Sequence, residues 1–238
     1  MSPLIVALDC PEASTARKLV EQLGSAGVGM FKVGSELFTV AGPALVREII
    51  HRHLQVFLDL KFHDIPNTVA GAVRAAAGLN VALVDVHAGG GLEMMRAAVR
   101  AAREAPGHTR VIAVTVLTSL AGEDLERLGV HRGPLEQVLQ LAQMAAEAGL
   151  DGVVASASEA RQLRSRFPRP FLIVTPGIRP AWCASPGDQK RPATPAEALA
   201  AGADFIVVGR PVIAAPDPAE AAVRILEELG DVSAGLEP

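Results

Sequence analysis

Residues 56–68 read VFLDLKFHDIPNT, an apolar strand into which Asp59, Lys61 and Asp64 are set within six residues. Only 20% of the chain is charged, so the cluster asks for a reason. Side chains alternate along a strand, which puts Phe57, Asp59 and Lys61 on one face and Val56, Leu58 and Leu60 on the other. The apolar set can pack under helices. The charged set must then face a polar opening, where a lone charge would be costly to desolvate and an opposed pair is tolerable. Carboxylates and ammonium groups held this way can stabilise developing charge and move protons, although a purely structural ion pair has the same residue types.

Asp64 lies past the strand, before the turn Ile65-Pro66-Asn67 that leads into the next helix. It reads either as a further charge at the same mouth or as a helix-capping acid, for which Asn67 is better placed. Lys32, in the MFKVG run, adds a second cation from the neighbouring strand. The expected set is therefore Lys32, Asp59, Lys61 and Asp64 alternating in sign in one mouth. Two further segments, TPGIR and VVGRP, place Gly177 and Gly209 beside Arg179 and Arg210. Backbone N–H groups at a helix start, together with a cation, bind phosphate, and Arg210 is the stronger bidentate contact. An ordinary tight turn with a solvated arginine is the alternative.

The elements that must hold these residues are short apolar runs alternating with helical-period segments. Strands are expected at 4–9, 30–34, 56–61, 81–88, 110–119, 152–157, 171–178 and 204–210, and helices in the intervening stretches. Continuous apolar strands covered by amphipathic helices imply a parallel sheet buried on both faces. Eight such units in 238 residues fit a single-domain closed (β/α)8 TIM barrel, whose chemistry collects at the C-terminal ends of the strands. An open doubly wound sheet is the runner-up, but the first turn, LDCPEAS, lacks the glycine pattern of a dinucleotide site. On this frame Asp9 ends strand one, Asp59 and Lys61 end strand three, Thr118 and Ser119 end strand five, and Arg179 and Arg210 follow strands seven and eight. Residues 179–195, RPAWCASPGDQKRPATP, have no clear periodicity and are expected to form a lid.

Composition closes off several functions. A formal net charge of -4, no Tyr and one Trp give nucleic acid neither a basic face nor a stacking platform. Cys10 and Cys183 are the two cysteines, and neither belongs to a metal-ligand or disulfide pattern. No apolar run reaches the roughly 18 residues of a membrane span, and MSPLIVALDC has no basic segment of a signal peptide. A soluble protein of the reducing cytoplasm is expected.

With these residues in view, the chain resembles the orotidine 5'-phosphate decarboxylases, which catalyse the last step of UMP synthesis. LDLKFHDIPNTV is similar to that family's DxKxxDIxxT signature, and FKVGSELF, VTVLTS, TPGIRP, GDQKR and VVGRP match in order and spacing. Only AWCASPG, in the expected lid, departs from the pattern. The resemblance implies that Lys61 donates the proton to C6 of the pyrimidine, with Asp59 and Lys32 holding it and the ribose. It implies that Asp9 binds a ribose hydroxyl, Thr118 the pyrimidine edge, and Arg179, Gln189, Gly209 and Arg210 the phosphate side. Asp64 and Thr68 would reach into the site of a second subunit, making a homodimer. No metal or organic cofactor is implied. Losing CO2 from C6 leaves electron density that the ring delocalises poorly, and lowering that barrier asks for on the order of 20 kcal/mol.

Two other readings remain open at this point. Metal-dependent sugar-phosphate decarboxylases and aldolases of the same barrel class share a DxKxxD core, but Lys32 stands where that metal would want an acid. A barrel that merely binds a phosphorylated ligand is the other. His63 and His87 are read as supporting groups rather than acid–base catalysts, and Met94 and Met95 as packing.

Overall fold

The computed structural model describes residues 2–183 and 193–235. Among them, eight strands close into a parallel barrel in sequence order: β1 (Leu4–Ala7), β2 (Met30–Gly34), β3 (Gln55–Phe62), β4 (Leu83–His87), β5 (Arg110–Val114), β6 (Gly152–Val154), β7 (Leu172–Thr175) and β8 (Phe205–Val208). Ladder partners such as Ile5 with Met30 and Ile5 with Val207 join β1 to both β2 and β8. The helices are α1 (Ala13–Ser25), α2 (Ser35–His51), α3 (Pro66–Ala77), α4 (Leu92–Glu104), α5 (Gly122–Arg127), α6 (Pro134–Ala148), α7 (Ala157–Arg166), α8 (Pro195–Ala200), α9 (Arg210–Ile213) and α10 (Pro218–Gly235).

Two apolar layers follow from strand alternation. Ile5, Ala7, Phe57, Leu83, Ile112 and Val207 fill the barrel interior, while Leu4, Val6, Val56, Leu58, Val84 and Val86 pack outward under the helices. Met94 and Met95 belong to that outer layer, as packing residues should. No described helix is long and apolar enough to cross a membrane.

Each expected strand is present, most of them shorter than the apolar run that announced it. The largest difference is at strand five, which ends at Val114, so Thr118 and Ser119 lie in the loop that follows. Helix α2 begins at Ser35, directly after β2, and Gly42, with φ 62° and followed by Pro43, breaks it into two segments. Asn67 is not the cap of α3: Ile65 holds that position and Pro66 opens the helix, because proline's fixed φ and missing N–H suit the first turn.

Strand β3 departs most from simple alternation. Leu58 pairs with Val84 and Phe62 with Val86, so four steps along β3 match two along β4 and the excess bulges out. Lys61 sits in the bulge at φ 49°, a left-handed conformation that costs a non-glycine residue on the order of 1–3 kcal/mol.

Candidate active site

A cavity of about 250 Å³ opens at the C-terminal end of the barrel, lined by Asp9, Lys32, Asp59 and Lys61 from β1 to β3, by Thr118 from the loop after β5, and by Gly177, Arg179, Gly209 and Arg210 from the turns after β7 and β8. At its base Asp59 is 7% exposed and lies between two ammonium groups. Its Oδ2 is 3.0 Å from Lys32 Nζ, and its Oδ1 accepts a hydrogen bond from Lys61 Nζ. Lys32 Nζ also donates to Asp9 Oδ1 at 3.1 Å. Strand register makes the group: Lys32 is opposite Phe57 on β3 and Ala7 on β1, one level below Asp59 and Asp9.

The electrostatics follow from this packing. Burial raises the cost of ionising Asp59, but Lys32, a hydrogen bond with Asp85 and Lys61 together outweigh it and pull the carboxyl down to about 2. For Lys32, burial opposes the charged form, and the Asp59 and Asp9 carboxylates overcome it, so its pKa ends above the usual lysine value. Both groups are ionised at neutral pH.

Glycines at the rim let the backbone approach. A Cβ on Gly34 would lie 3.3 Å from Lys32 Nζ, and one on Gly209 would lie 3.3 Å from Asp9 Oδ2. Gly209 precedes Arg210, the first residue of α9, and Gly177 turns the chain after β7 at φ 79°. Beyond it, the Arg179 N–H donates to the Ala193 carbonyl at 2.8 Å. Trp182 packs against the outer core with the Arg224 guanidinium 4.5 Å over its ring. Gln189 and most of the expected lid lie outside the described residues.

The four-charge mouth is not assembled within one chain. Asp64 does not line the cavity; it is exposed on the loop after β3, where its Oδ1 accepts the Ile65 N–H at 2.6 Å. Thr68 is exposed on the first turn of α3, and Ile65 between them is 67% exposed. His63 and His87 stack loosely, with ring centroids 5.4 Å apart, outside the cavity lining. Burial, then His63 and Lys61, push the His87 pKa down, so it is neutral at pH 7.

Sequence reasoning missed Asp85. It lies in β4, is fully buried, and its Oδ1 accepts the Lys61 backbone N–H at 2.8 Å. An acid inside the apolar run VALVDVHA was the available signal, since carboxylates are almost never fully buried unless paired.

Comparison with known proteins decides the family. A model of the orotidine 5'-phosphate decarboxylase / HUMPS family matches residues 2–225. The chain belongs to that family. By this membership it is a carboxy-lyase. It is 52% identical to an orotidine 5'-phosphate decarboxylase of Nitrosococcus oceani, across 97% of this chain and 99% of the relative. It is 54% identical to one of Halorhodospira halophila, across 95% of each. The crystal structure of an orotidine 5'-phosphate decarboxylase from Lactobacillus acidophilus superposes with a TM-score of 0.85 at 38% identity, covering 96% of this chain and 99% of that one. Relatives of this family thus share the closed barrel that carries the site described above.

Proposed function

We propose that this chain decarboxylates orotidine 5'-monophosphate to UMP and CO2, with Lys61 protonating C6 and no metal taking part. The observation that carries the reading is the Lys32–Asp59–Lys61 chain of contacts at the cavity base, in a cavity whose lining also includes the glycine and arginine turns after β7 and β8. The phosphate sits at Gly209, Arg210 and Arg179, the pyrimidine edge meets Thr118, and Asp9 with Lys32 holds the ribose. The ring is thereby laid across the barrel mouth, C6 toward Lys61.

As CO2 leaves, negative charge develops at C6, and a fixed ammonium beside it stabilises that charge without solvent reorganisation. Asp59 keeps the ammonium aimed by accepting its hydrogen bond. Lys61 then transfers its proton to C6, and the resulting amine is reprotonated from solvent. Phosphate binding at the far rim contributes energy to closing the site and positioning the ring. Lys32 favours this reading over a metal-dependent sugar-phosphate lyase, because its ammonium lies between Asp9 and Asp59, where a divalent ion would need the carboxylates for itself.

Asp64 and Thr68 are assigned to the cavity of a second copy of the chain in a homodimer. Their exposure, that of Ile65 beside them, and the absence of Asp64 from its own cavity lining support that assignment.

The test is direct. Purified protein with a chelator present is expected to convert orotidine 5'-monophosphate to UMP, followed as loss of ultraviolet absorbance, and Lys61→Ala is expected to abolish turnover while keeping the circular-dichroism spectrum of the folded protein. Loss of activity on chelation, or substantial turnover by Lys61→Ala, would overturn the mechanism.

A further inference from the structure

Asp85 has no part in the reaction as set out above, yet it is the carboxyl nearest the Lys61 backbone. Its Oδ1 accepts the Lys61 N–H at the β3 bulge. Its Oδ2 is sealed from solvent and meets no N–H or O–H donor among the described residues. The polar neighbour it does have is the Asp59 carboxyl, which lies in hydrogen-bonding contact. Two ionised carboxylates in contact in a buried site repel, and the contact becomes favourable only when one carries a proton and donates it.

The partners say which one does. Asp59 is bonded to two ammonium groups, Lys32 and Lys61. Among the described residues Asp85 has no cationic side chain bonded to it; the charged groups facing it are Asp59 and Lys61 of β3, and its register partner on β5 is Ile112. Burial, and after it the Asp59 charge, push the Asp85 carboxyl well above the usual range. A carboxylate can accept about four hydrogen bonds, so Asp59 has room for a third donor beside the two lysines.

We propose that Asp85 is a positioning residue for the decarboxylation: it anchors the main chain of Lys61 through Oδ1 and donates a hydrogen bond from its protonated Oδ2 to Asp59. One buried carboxylic acid thus sets both ends of the catalytic lysine, its backbone directly and its ammonium through Asp59. The left-handed conformation of Lys61 persists because its N–H finds this acceptor. The inference rests on the proposed function, since the lysine being positioned is the proposed proton donor.

Asp85→Asn keeps an oxygen for the Lys61 N–H and an N–H for Asp59; Asp85→Leu, of similar size, keeps neither. On orotidine 5'-monophosphate, Asp85→Leu is expected to lose about 10- to 100-fold in kcat with KM changed less than about threefold. Asp85→Asn is expected to rescue the rate to within about threefold of wild type. The infrared difference spectrum between wild type and Asp85→Asn should show the C=O band of a protonated carboxyl at about pH 7. An Asn variant as slow as the Leu variant, a Leu variant as fast as wild type, or a Leu loss confined to KM overturns the proposal. Should Asp85→Leu not fold, the Asn rate and the infrared band decide, and absence of the band overturns it. Failure of the wild type to release CO2 from this nucleotide would instead sink the functional reading, and the infrared band would still report the protonation of Asp85.

Discussion

Asp59 and Asp85 are neighbours with opposite pH behaviour, and the difference is one of partners. The folded pKa of Asp59, about 2, is below its ordinary value of 3.8, so its ion pairs stabilise the fold above about pH 4 and are lost as the pH falls toward 2. A shift of this size amounts to roughly 2 kcal/mol. Urea unfolding of wild type and Asp59→Asn across that window is expected to show their stability difference shrinking as acid is added; a constant difference would mean that the pairs contribute nothing. Asp85 runs the other way. Its folded pKa is raised, so its favourable contribution is complete below about pH 4 and declines as the pH rises toward the folded pKa. Relative to wild type, Asp85→Asn should therefore gain thermal stability steadily from about pH 4 upward, and a flat difference in Tm would show that Asp85 ionises freely in the fold.

At the scale of elements, β3 and the turn after β8 divide the work between chemistry and binding. Asp59 and Lys61, on the bulged stretch of β3, bond to each other at the base of the cavity. Gly209 and Arg210, at the start of α9, line the same cavity from the turn after β8 and are assigned to phosphate. Replacing Arg210 with Ala is expected to lower kcat/KM about 10- to 100-fold for the nucleotide, the usual worth of a charge-assisted hydrogen bond. The unphosphorylated nucleoside should be almost unaffected, and equal losses on the two substrates would remove Arg210 from that role. The order and number of strands were legible because each is a buried, continuously apolar run bounded by turn residues. Their ends were less so: VTVLTS continues the apolar pattern past Val114, but the chain leaves the sheet there, and nothing local marks the exit.

For the whole molecule, the exposed acid on the β3–α3 loop is the telling feature. If Asp64 completes the partner's site, a chain carrying Lys61→Ala and one carrying Asp64→Asn, each inactive alone, should regain activity when mixed and allowed to exchange subunits. Half of the randomly formed dimers are then hybrid, each with one intact site, giving about a quarter of wild-type activity. No recovery would mean that Asp64 acts in its own chain or not at all.

By itself the sequence determined the alternating βα architecture, the charged face of β3, and the glycine and arginine turns after β7 and β8, because period-two and helical patterns are written in neighbouring residues. Tertiary structure alone decided that Lys32 bridges Asp9 and Asp59, that Asp64 leaves its own chain's cavity, and that Asp85 sits under Lys61. Those relations join residues on different strands or depend on a bulge. They exist only once barrel closure sets the register between strands, and burial then settles which carboxyl keeps its proton.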